Sequence, residues 1–175
     1  MSDRSTINNI QNLRTSYKKE KLKITDLSNN PIEQFKNWLE HAINSETLEP
    51  TAMSLATANN SGHPSLRTVL LKGITDEGFV FYTNYESRKG NEINDNNKVA
   101  LCFLWKELER QVTIRGKAEK ISKDKSEQYF SSRPRGHQIS AWASTQSAEI
   151  PNRQWMIDRE EKITSRFNSG KIPYP

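Results

Sequence analysis

The chain has 175 residues, of which 33% are hydrophobic and 27% are charged, and its formal net charge is +5. This length suits one domain with its own hydrophobic core, and the composition indicates a water-soluble globular protein with a polar surface. No stretch approaches the roughly 20 apolar residues that a membrane-spanning helix needs, so we expect no membrane partner.

The basic excess, with a pI of about 9.3, fits either nucleic acid or sites for small anions. The densest basic stretch, residues 18–23, is also compatible with a solvated helix end, and no run of Lys and Arg resembles a nucleic-acid arm, so we expect no nucleic-acid partner. The N-terminus lacks the apolar core of a signal peptide, and Cys102 is the only cysteine, which excludes a disulfide within the chain. Both features favour a cytoplasmic protein.

The N-terminal part, residues 1–30, is rich in Asn, Ser, Thr and Lys and poor in apolar residues, which predicts a mobile segment. The first predicted helix follows, with Asn30 as its N-terminal cap and Pro31 in its first turn. From this helix onward, residues 31–175 are predicted to form a single domain. The apolar stripe of the helix has helical spacing and consists of Ile32, Phe35, Leu39 and Ile43.

The middle of the chain is predicted to consist of strands, because β-branched and aromatic residues recur between short turns. The contiguous residues Val69, Leu70 and Leu71 predict a strand that is buried on both faces. A short helical piece, residues 88–96, interrupts the series. Short loops between successive strands favour an antiparallel sheet that curls into a barrel. The predicted strands cover residues 51–59, 65–74, 79–85, 98–105 and 110–121.

The last third of the chain is predicted to be helical. Pro134 should stop the first helix, residues 123–133, because proline disfavours a helical conformation in the residue before it. A short helix at residues 138–144 and a longer one that ends near residue 170 follow, the latter with Asn152 as its cap. The terminal residues, KIPYP, resemble the start of a further segment.

Several familiar sites are excluded because their motifs are missing from the sequence. There is no GxGxxG or GxxxxGK[ST] loop for a nucleotide and no GxSxG nucleophile. The three histidines, His41, His63 and His137, are far apart, and no cysteines or carboxylates with metal-ligand spacing accompany them. An anion would therefore have to be held by side-chain cations and by helix N-termini.

The strongest candidate for such an anion site is the segment FVFYTNYESRKG, residues 79–90, in which an apolar strand runs into two adjacent cations. Ser87 can cap the helix that follows, and Arg88 and Lys89 then lie at its N-terminus. Two cations at this end oppose the helix dipole, which makes a purely solvated role for them less favourable. Hydrogen bonds to a charged group contribute about 1.5–3 kcal/mol each, so three or four would anchor a phosphate firmly.

Two further pairs of residues carry weaker signals. Arg67 and Lys72 lie in one apolar run, but strict alternation over their odd spacing places them on opposite faces, so a bulge or strong twist would be needed to bring both to one ligand. Both could equally reach solvent from the strand ends. Tyr129 and Arg133 lie on one face of a predicted helix, although surface packing is the commoner reason for such a pair.

Six short motifs stand out when the whole sequence is considered: PTAMSLAT, RTVLLKG, FYTNYESRKG, LERQV, YFSSRPRGHQI and ASTQS. In this order and spacing they resemble the pyridoxamine 5′-phosphate oxidase family, and the resemblance covers nearly the whole chain. It implies an FMN-binding split β-barrel of the α+β class, antiparallel and Greek-key-like, with flanking helices. It also implies a homodimer that holds FMN at the subunit interface.

The resemblance implies roles for individual residues, matched position by position. Arg14 and Tyr17 match residues that close over the bound substrate, which would make the N-terminal segment a lid. Substrate binding is implied for Arg14, Tyr17, Lys72, Tyr129, Arg133 and His137. FMN binding is implied for Arg67, Thr68, Val69, Leu70, Leu71, Lys72, Tyr82, Thr83, Arg88, Lys89, Gln111, Gln146 and Ser147.

The chemistry implied by the resemblance is the oxidation of pyridoxamine 5′-phosphate or pyridoxine 5′-phosphate to pyridoxal 5′-phosphate in vitamin B6 biosynthesis. A hydride passes from the C4′ carbon to the flavin, and dioxygen accepts the electrons and yields hydrogen peroxide. The amine route also releases ammonia. One phosphate on each ligand would explain two cation clusters and the positive net charge without nucleic acid.

Two departures from the family bear on activity. His137 stands where the family usually has a serine or another small residue at the substrate phosphate. The family also continues past the position of KIPYP with residues that contact substrate and flavin, and none of these occurs in this sequence. We therefore assign no catalytic residue. We also expect weakened FMN binding and reduced turnover. The alternative to an oxidase is a non-catalytic protein that binds FMN or pyridoxal 5′-phosphate. A split-barrel flavin reductase or haem-handling relative is less compatible with the Tyr129–Arg133 pair.

Overall fold

The computed structural model describes residues 7–19 and 21–175. Two compact units are present: one comprises the described residues up to Pro50 together with Leu104–Gln111, and the other comprises Thr51–Phe103 and Val112–Pro175. No helix in the described ranges is long and apolar enough to cross a membrane. The regular elements are α1 (Pro31–Asn44), β1 (Ala52–Ala58), β2 (Pro64–Leu70), β3 (Gly73–Thr75), β4 (Gly78–Val80), α2 (Arg88–Asp95), β5 (Lys98–Trp105), β6 (Arg110–Lys117), α3 (Lys123–Ser132), α4 (Arg135–Ala143) and α5 (Arg153–Arg166).

The predicted mobile segment falls in the first unit. Its residues 1–6 and 20 lie outside the described part of the chain. The remainder contains two short 3-10 turns, Ile7–Asn12 and Ile24–Asp26, and the Lys19 backbone N–H donates to Glu109 Oε2 at 3.0 Å. The role of this segment as a lid, and the domain boundary at residue 31, stay predictions.

Helix α1 begins where the sequence predicts it. The Asn30 side chain accepts hydrogen bonds from the backbone N–H groups of Ile32 and Glu33, which would otherwise lack partners at the helix start. Pro31 occupies the first turn, where its fixed φ suits the helix and its missing N–H costs nothing. Local chemistry alone therefore determines where α1 starts.

The buried face of α1 packs on an aromatic residue of the same unit. The rings of Phe35 and Trp105 lie 5.9 Å apart, and Trp105 Nε1 donates to the Pro50 carbonyl at 2.9 Å. Ala42, two turns after Phe35, is fully buried, whereas Ile43 is 53% exposed. The prediction that Ile43 belongs to the buried stripe is wrong, because it lies about 100° further round the helix than Ala42.

In the second unit, β1 is an interior strand of a sheet with the order β2-β1-β5-β6. Its burial alternates, with Met53, Leu55 and Thr57 buried. β1 pairs antiparallel with both neighbours, β2 and β5. Its register with β2 places Leu55 opposite Arg67 and Thr57 opposite Ser65, so Thr57, Ser65 and Arg67 share one face.

The predicted strand at residues 65–74 is divided between two sheets. The Leu71 N–H donates to the Thr51 carbonyl, whereas the Lys72 N–H donates to the carbonyl of Val80, beside a separate sheet of β3 and β4. β2 is an edge strand in which Leu70 is 37% exposed, while Leu71 is buried. The prediction that residues 69–71 are buried on both faces is therefore wrong, because the apolar run spans a corner between sheets.

The predicted strand at residues 79–85 is also shorter than expected, because β4 ends at Val80. The chain then enters a turn in which Asn84 Oδ1 accepts from the Glu86 N–H at 2.7 Å and the Asn84 carbonyl accepts from the Ser87 N–H. An asparagine side chain that bonds to the backbone two residues later is typical of turns. This turn leads directly into α2.

Helices α3, α4 and α5 form a separate apolar cluster with the C-terminal residues of the same unit. Trp142 Nε1 donates to the Pro173 carbonyl at 2.8 Å, and the Tyr174 ring packs edge-on against Phe130. Ile172 and Tyr174 of the KIPYP stretch are therefore part of this core. The buried members of the cluster are Phe130, Ile139, Ala143, Ile163 and Ile172.

The boundaries of these helices differ from the predictions at two points. Helix α4 begins at Arg135, three residues earlier than predicted, because Pro134 serves as its N-cap and accepts the N–H groups of His137 and Gln138. Helix α5 begins after Asn152 as predicted, with Asn152 Oδ1 accepting from the Trp155 N–H, but it ends at Arg166. The antiparallel strands and surrounding helices confirm the predicted α+β class.

Candidate functional site

The predicted cap at Ser87 is present and organises the turn before α2. Its hydroxyl is fully buried, donates to the Asn84 carbonyl at 2.6 Å and accepts from the Gly90 N–H at 3.3 Å. Lys89 Nζ donates to the same oxygen at 3.1 Å. The single donor and both acceptor positions of this hydroxyl are therefore used, which holds the N-terminus of α2 in one conformation.

Lys89 is the buried cation of this turn, with 8% of its surface exposed. Its Nζ donates to two neutral acceptors, Ser87 Oγ and Gln146 Oε1, the latter at 2.8 Å. In the part of the chain that the structure describes, no carboxylate forms an ion pair with it. Burial, and then the charge of Arg67, lower the pKa of Lys89. Because a buried ammonium with neutral partners is costly, an anion beside Lys89 would be stabilising.

Gln146 reaches Lys89 from the loop between α4 and α5, 57 residues further along the chain. Its neighbour Ser147 has a φ of 69°, a left-handed conformation that residues other than glycine seldom adopt. Neither residue carries a strong signal in the sequence. The structure nevertheless brings predicted Gln146 into direct contact with predicted Lys89.

Arg67 faces the inner side of β2 and is mostly covered. Its Nη1 donates to the Leu55 carbonyl at 3.0 Å and to Thr57 Oγ1 at 2.6 Å, and its Nη2 donates to Glu92 Oε2 at 3.2 Å. Lys72, by contrast, follows the end of β2 and is exposed. The two cations of this apolar run therefore differ, since one is held inside the unit and the other reaches solvent.

Glu92 of α2 is a central residue of this site that the sequence analysis missed. Its Oε1 accepts from Ser65 Oγ at 2.8 Å and from Arg88 Nε at 2.9 Å. Its Oε2 accepts from Arg67 and from the Thr57 hydroxyl, and only 8% of the side chain is exposed. The i,i+4 spacing of Arg88 and Glu92 on a predicted helix is the sequence signal that could have identified it.

The pKa of Glu92 makes acid stability a testable property of the site. Burial by itself would raise this pKa, but four hydrogen bonds outweigh burial and lower it from 4.5 to about 2. A depressed carboxyl pKa stabilises the fold above pH 4.5, and that contribution, on the order of 3 kcal/mol, is lost as the pH falls toward 2. Urea unfolding should show wild type more stable than Glu92→Gln at pH 6, with the difference shrinking toward pH 3. A difference that does not depend on pH would contradict this assignment.

We refer to Arg67, Arg88, Lys89 and Glu92 as the charged cluster. A cavity of about 440 Å³ opens beside it. Arg88, Gln146 and Ser147 are predicted ligand-binding residues in its wall, and Glu92 also lines it. The cavity therefore connects the start of α2 with the loop that carries Gln146. Its complete lining is Asn59, Glu86, Arg88, Asn91, Glu92, Asp95, Gln146, Ser147 and Ala148.

Tyr82 and Tyr129 form a second feature of the unit. Their rings are parallel, with centroids 3.6 Å apart and an interplanar angle of 2°. Burial, then the phenols of Tyr129 and Tyr85, raise the pKa of Tyr82, so it stays protonated at neutral pH. The resemblance assigns these stacked residues to different ligands, Tyr82 to FMN and Tyr129 to the substrate.

The remaining predicted residues are not gathered into this cluster. Helix α3 ends at Ser132, and Arg133 is its C-cap with a ψ of 148°, so the helical-face argument for Tyr129 and Arg133 does not hold. His137 is exposed in the first turn of α4.

Arg14, Tyr17 and Gln111 belong to the other unit, and their roles stay predictions. Thr68 and Leu70 are exposed, Val69 and Thr83 are half-buried, and Leu71 is buried.

Comparison with known proteins shows the family to which this chain belongs. The family model described as pyridoxamine 5′-phosphate oxidase matches residues 39–167. The chain belongs to the pyridoxamine 5′-phosphate oxidase family. A pyridoxine/pyridoxamine 5′-phosphate oxidase from Rippkaea orientalis, one of the members of this family, is 53% identical over 163 residues, which cover 93% of this chain and 77% of that protein.

Solved structures of similar proteins agree with the family's fold. PhzG from Burkholderia lata, in complex with tetrahydrophenazine-1-carboxylic acid, has a TM-score of 0.83 and 27% identity, covering 90% of this chain and 78% of that one. A pyridoxamine 5′-phosphate oxidase-related, FMN-binding protein from Nostoc punctiforme has a TM-score of 0.57 and 15% identity, covering 75% and 73%. The predicted split-barrel fold is thereby confirmed.

Proposed function

We propose that this protein is an FMN-dependent oxidase that converts pyridoxamine 5′-phosphate or pyridoxine 5′-phosphate to pyridoxal 5′-phosphate, with dioxygen as the acceptor. The observation that carries the proposal is the buried Lys89 ammonium, whose partners Ser87 and Gln146 are neutral. It is supported by 53% identity to a protein named pyridoxine/pyridoxamine 5′-phosphate oxidase, nearly twice the identity to the phenazine-bound neighbour.

The chemistry of the cluster fits the phosphate of FMN. Lys89 has three N–H donors and uses two of them on neutral oxygens, so one remains for a phosphate oxygen. Arg88 binds Glu92 through Nε, and 69% of its side chain is exposed, so its outer nitrogens can also reach an anion. Both lie at the N-terminus of α2, where the helix dipole favours a negative charge.

The residues that we propose to hold FMN come from five short stretches of the chain. The FMN phosphate would bind to Arg67, Arg88 and Lys89, while Gln146 and Ser147 would bind its polar groups. When bound, FMN would supply the two-electron acceptor for the C4′ hydride and pass the electrons to dioxygen. The other residues of the proposed set are Thr68, Val69, Leu70, Leu71, Lys72, Tyr82, Thr83 and Gln111.

The overall reaction defines the measurable products. Pyridoxamine 5′-phosphate, dioxygen and water give pyridoxal 5′-phosphate, ammonia and hydrogen peroxide. Pyridoxine 5′-phosphate and dioxygen give pyridoxal 5′-phosphate and hydrogen peroxide. The protein's contribution is to bind both phosphates and to align the reacting carbon, which replaces an encounter in solution by a bound geometry.

For the substrate phosphate, we propose Lys72, Tyr129, Arg133 and His137, with Arg14 and Tyr17 closing over it. The Tyr129 ring lies flat on Tyr82, which restricts its rotation and so holds its hydroxyl in a limited range of positions. A restricted side chain loses less conformational entropy when it binds a ligand. This stack would align the substrate without itself reacting.

We also propose that the protein is a cytoplasmic homodimer with FMN at the subunit interface. Leu66 and Leu70, on the edge strand β2, are 69% and 37% exposed, which suits a surface that a second copy covers. Multi-angle light scattering should give twice the 20.2 kDa mass of the chain. A monomer that still binds FMN would contradict the dimer while leaving the cofactor assignment intact.

The proposed activity can be tested with purified protein. Flavin-free protein is titrated with FMN, and quenching of flavin fluorescence gives the Kd. The loaded protein is then mixed with pyridoxamine 5′-phosphate in air, and the aldehyde absorbance and hydrogen peroxide are followed. We expect both to rise together in a one-to-one ratio. FMN binding without products would identify the non-catalytic alternative, and binding to generic nucleic acid without FMN binding would overturn the proposal.

A further inference from the structure

We propose that Glu92 is a positioning residue of the anion site, which holds the guanidinium groups of Arg67 and Arg88 in place for a phosphate. The inference rests on the proposed function, because it presupposes that the phosphate of FMN binds beside Lys89. It goes further, because it assigns a role to a carboxylate in a site for an anion, where an acidic side chain would ordinarily be unfavourable.

The geometry shows that Glu92 connects two arginines from different elements. Arg67 extends from β2, and Arg88 extends from the first turn of α2. Each donates to a different oxygen of the carboxylate, Arg67 to Oε2 at 3.2 Å and Arg88 to Oε1 at 2.9 Å. Because one rigid group joins both, the positions of the two guanidinium groups depend on each other.

The carboxylate is itself fixed from the sheet side. The hydroxyls of Thr57 and Ser65, which are opposite each other in the β1–β2 register, both donate to Glu92. Thr57 is buried and also accepts from Arg67 Nη1. These bonds prevent the carboxylate from rotating, so it can act as a fixed reference for the arginines.

The charges of the cluster explain why an acid is needed beside an anion site. Arg67, Arg88 and Lys89 carry three positive charges, and Arg67 already lowers the pKa of Lys89. Glu92 removes one charge, which leaves two for a phosphate of about −2. One of these two charges belongs to Lys89, the cation without an acidic partner in the described part of the chain, and the other belongs to the two arginines that share Glu92.

The cluster is also open to a ligand. Arg88 and Glu92 line the same cavity of about 440 Å³ as Gln146 and Ser147. A carboxylate that only stabilised the fold could lie anywhere in the core. Glu92 instead lines this cavity itself, together with its partner Arg88.

The test compares FMN with riboflavin, which has the same ring system but no phosphate. Flavin-free Glu92→Gln protein is titrated with each flavin at a temperature at which it is folded by circular dichroism. The amide can accept from one arginine, but its NH₂ group faces the other and displaces it. We expect FMN to bind at least tenfold more weakly than to wild type, with riboflavin affinity changed less than twofold.

Asp95→Asn is the matched control. Asp95 lies on the same helix and lines the same cavity, and its substitution removes the same charge, but it is exposed and forms no ion pair with Arg67 or Arg88. General electrostatics predicts that removing an acid tightens FMN binding in both variants. Positioning predicts a loss in Glu92→Gln alone.

The outcomes distinguish a failure of the proposed function from a failure of the positioning role of Glu92. Failure of wild-type protein to bind FMN would overturn the proposed function. Normal FMN binding by Glu92→Gln, or an equal loss of FMN and riboflavin, would overturn the positioning role alone. Should Glu92→Gln not fold, Ser65→Ala removes a single bond to Oε1 from a half-buried edge position, and we expect two- to fivefold weaker FMN binding with unchanged riboflavin binding. Unchanged FMN binding by Ser65→Ala would then count against the inference.

Discussion

Replacing Gly90 with alanine is expected to lower the thermal midpoint of the protein by roughly 6–12 °C. A Cβ at this position would lie 2.1 Å from the Tyr85 carbonyl oxygen and 2.9 Å from that of Asn84. Both atoms are backbone, so no rotamer change can relieve the clash, and the turn must move away from α2. Such overpacking costs about 3 kcal/mol, and each kcal/mol shifts the midpoint of a chain of this size by about 2–4 °C.

Gly136→Ala is the matched control for this experiment. Gly136 also lies in the first turn of a helix, α4, but a Cβ there would meet nothing within 4 Å. Because alanine favours a helix over glycine by about 1 kcal/mol, this variant should be as stable as wild type or slightly more so. Calorimetry measures the thermal midpoints of both variants against that of wild type. An unchanged midpoint for Gly90→Ala would show that the turn is not packed as described.

Replacing Lys89 with methionine should weaken FMN binding by about 10- to 100-fold, because a hydrogen bond to a charged group contributes about 1.5–3 kcal/mol. The loss should occur without a loss of stability. Burial and Arg67 lower the pKa of Lys89, which means that its charge is less favourable in the folded chain than in the unfolded one. The flavin-free variant should therefore melt no lower than wild type.

The measurement combines a fluorescence titration with a thermal scan, and Lys125→Met is the control. Lys125 is an exposed lysine of α3, so the same substitution there should leave both quantities unchanged. If Lys89→Met binds FMN as tightly as wild type does, the anion is not held at the start of α2. If it melts several degrees lower, the ammonium has a structural role, and the reasoning from its cost of burial is wrong.

The helix starts show which features of this protein can be predicted from a few neighbouring residues. The caps at Asn30, Ser87 and Asn152 were all predicted and are all present. A cap involves a side chain and N–H groups two or three residues later, so its chemistry is complete within a few residues. The cations Arg88 and Lys89 could be placed at a helix start for the same reason.

The partners of those cations could not be predicted in this way. Lys89 contacts Gln146 from a distant loop, and Arg67 contacts Glu92 from another element. The sequence predicted that both Arg88 and Lys89 would bind a phosphate. The structure shows that Arg88 already forms an ion pair with Glu92, whereas Lys89 forms none in the described part of the chain. Which of these cations pairs with a carboxylate depends on the register of β1 with β2 and on the placement of α2.

The sequence by itself determined the α+β class, the family, the helix caps and the position of the basic turn, because each depends on residues close together in the chain or on motifs in a fixed order. Only the tertiary structure decided that residues 65–74 turn a corner between sheets, that Arg133 lies beyond its helix, and that Glu92 pairs with two arginines. These features depend on hydrogen bonds and charges between segments far apart in the chain, whose energies exist only once the segments are packed together.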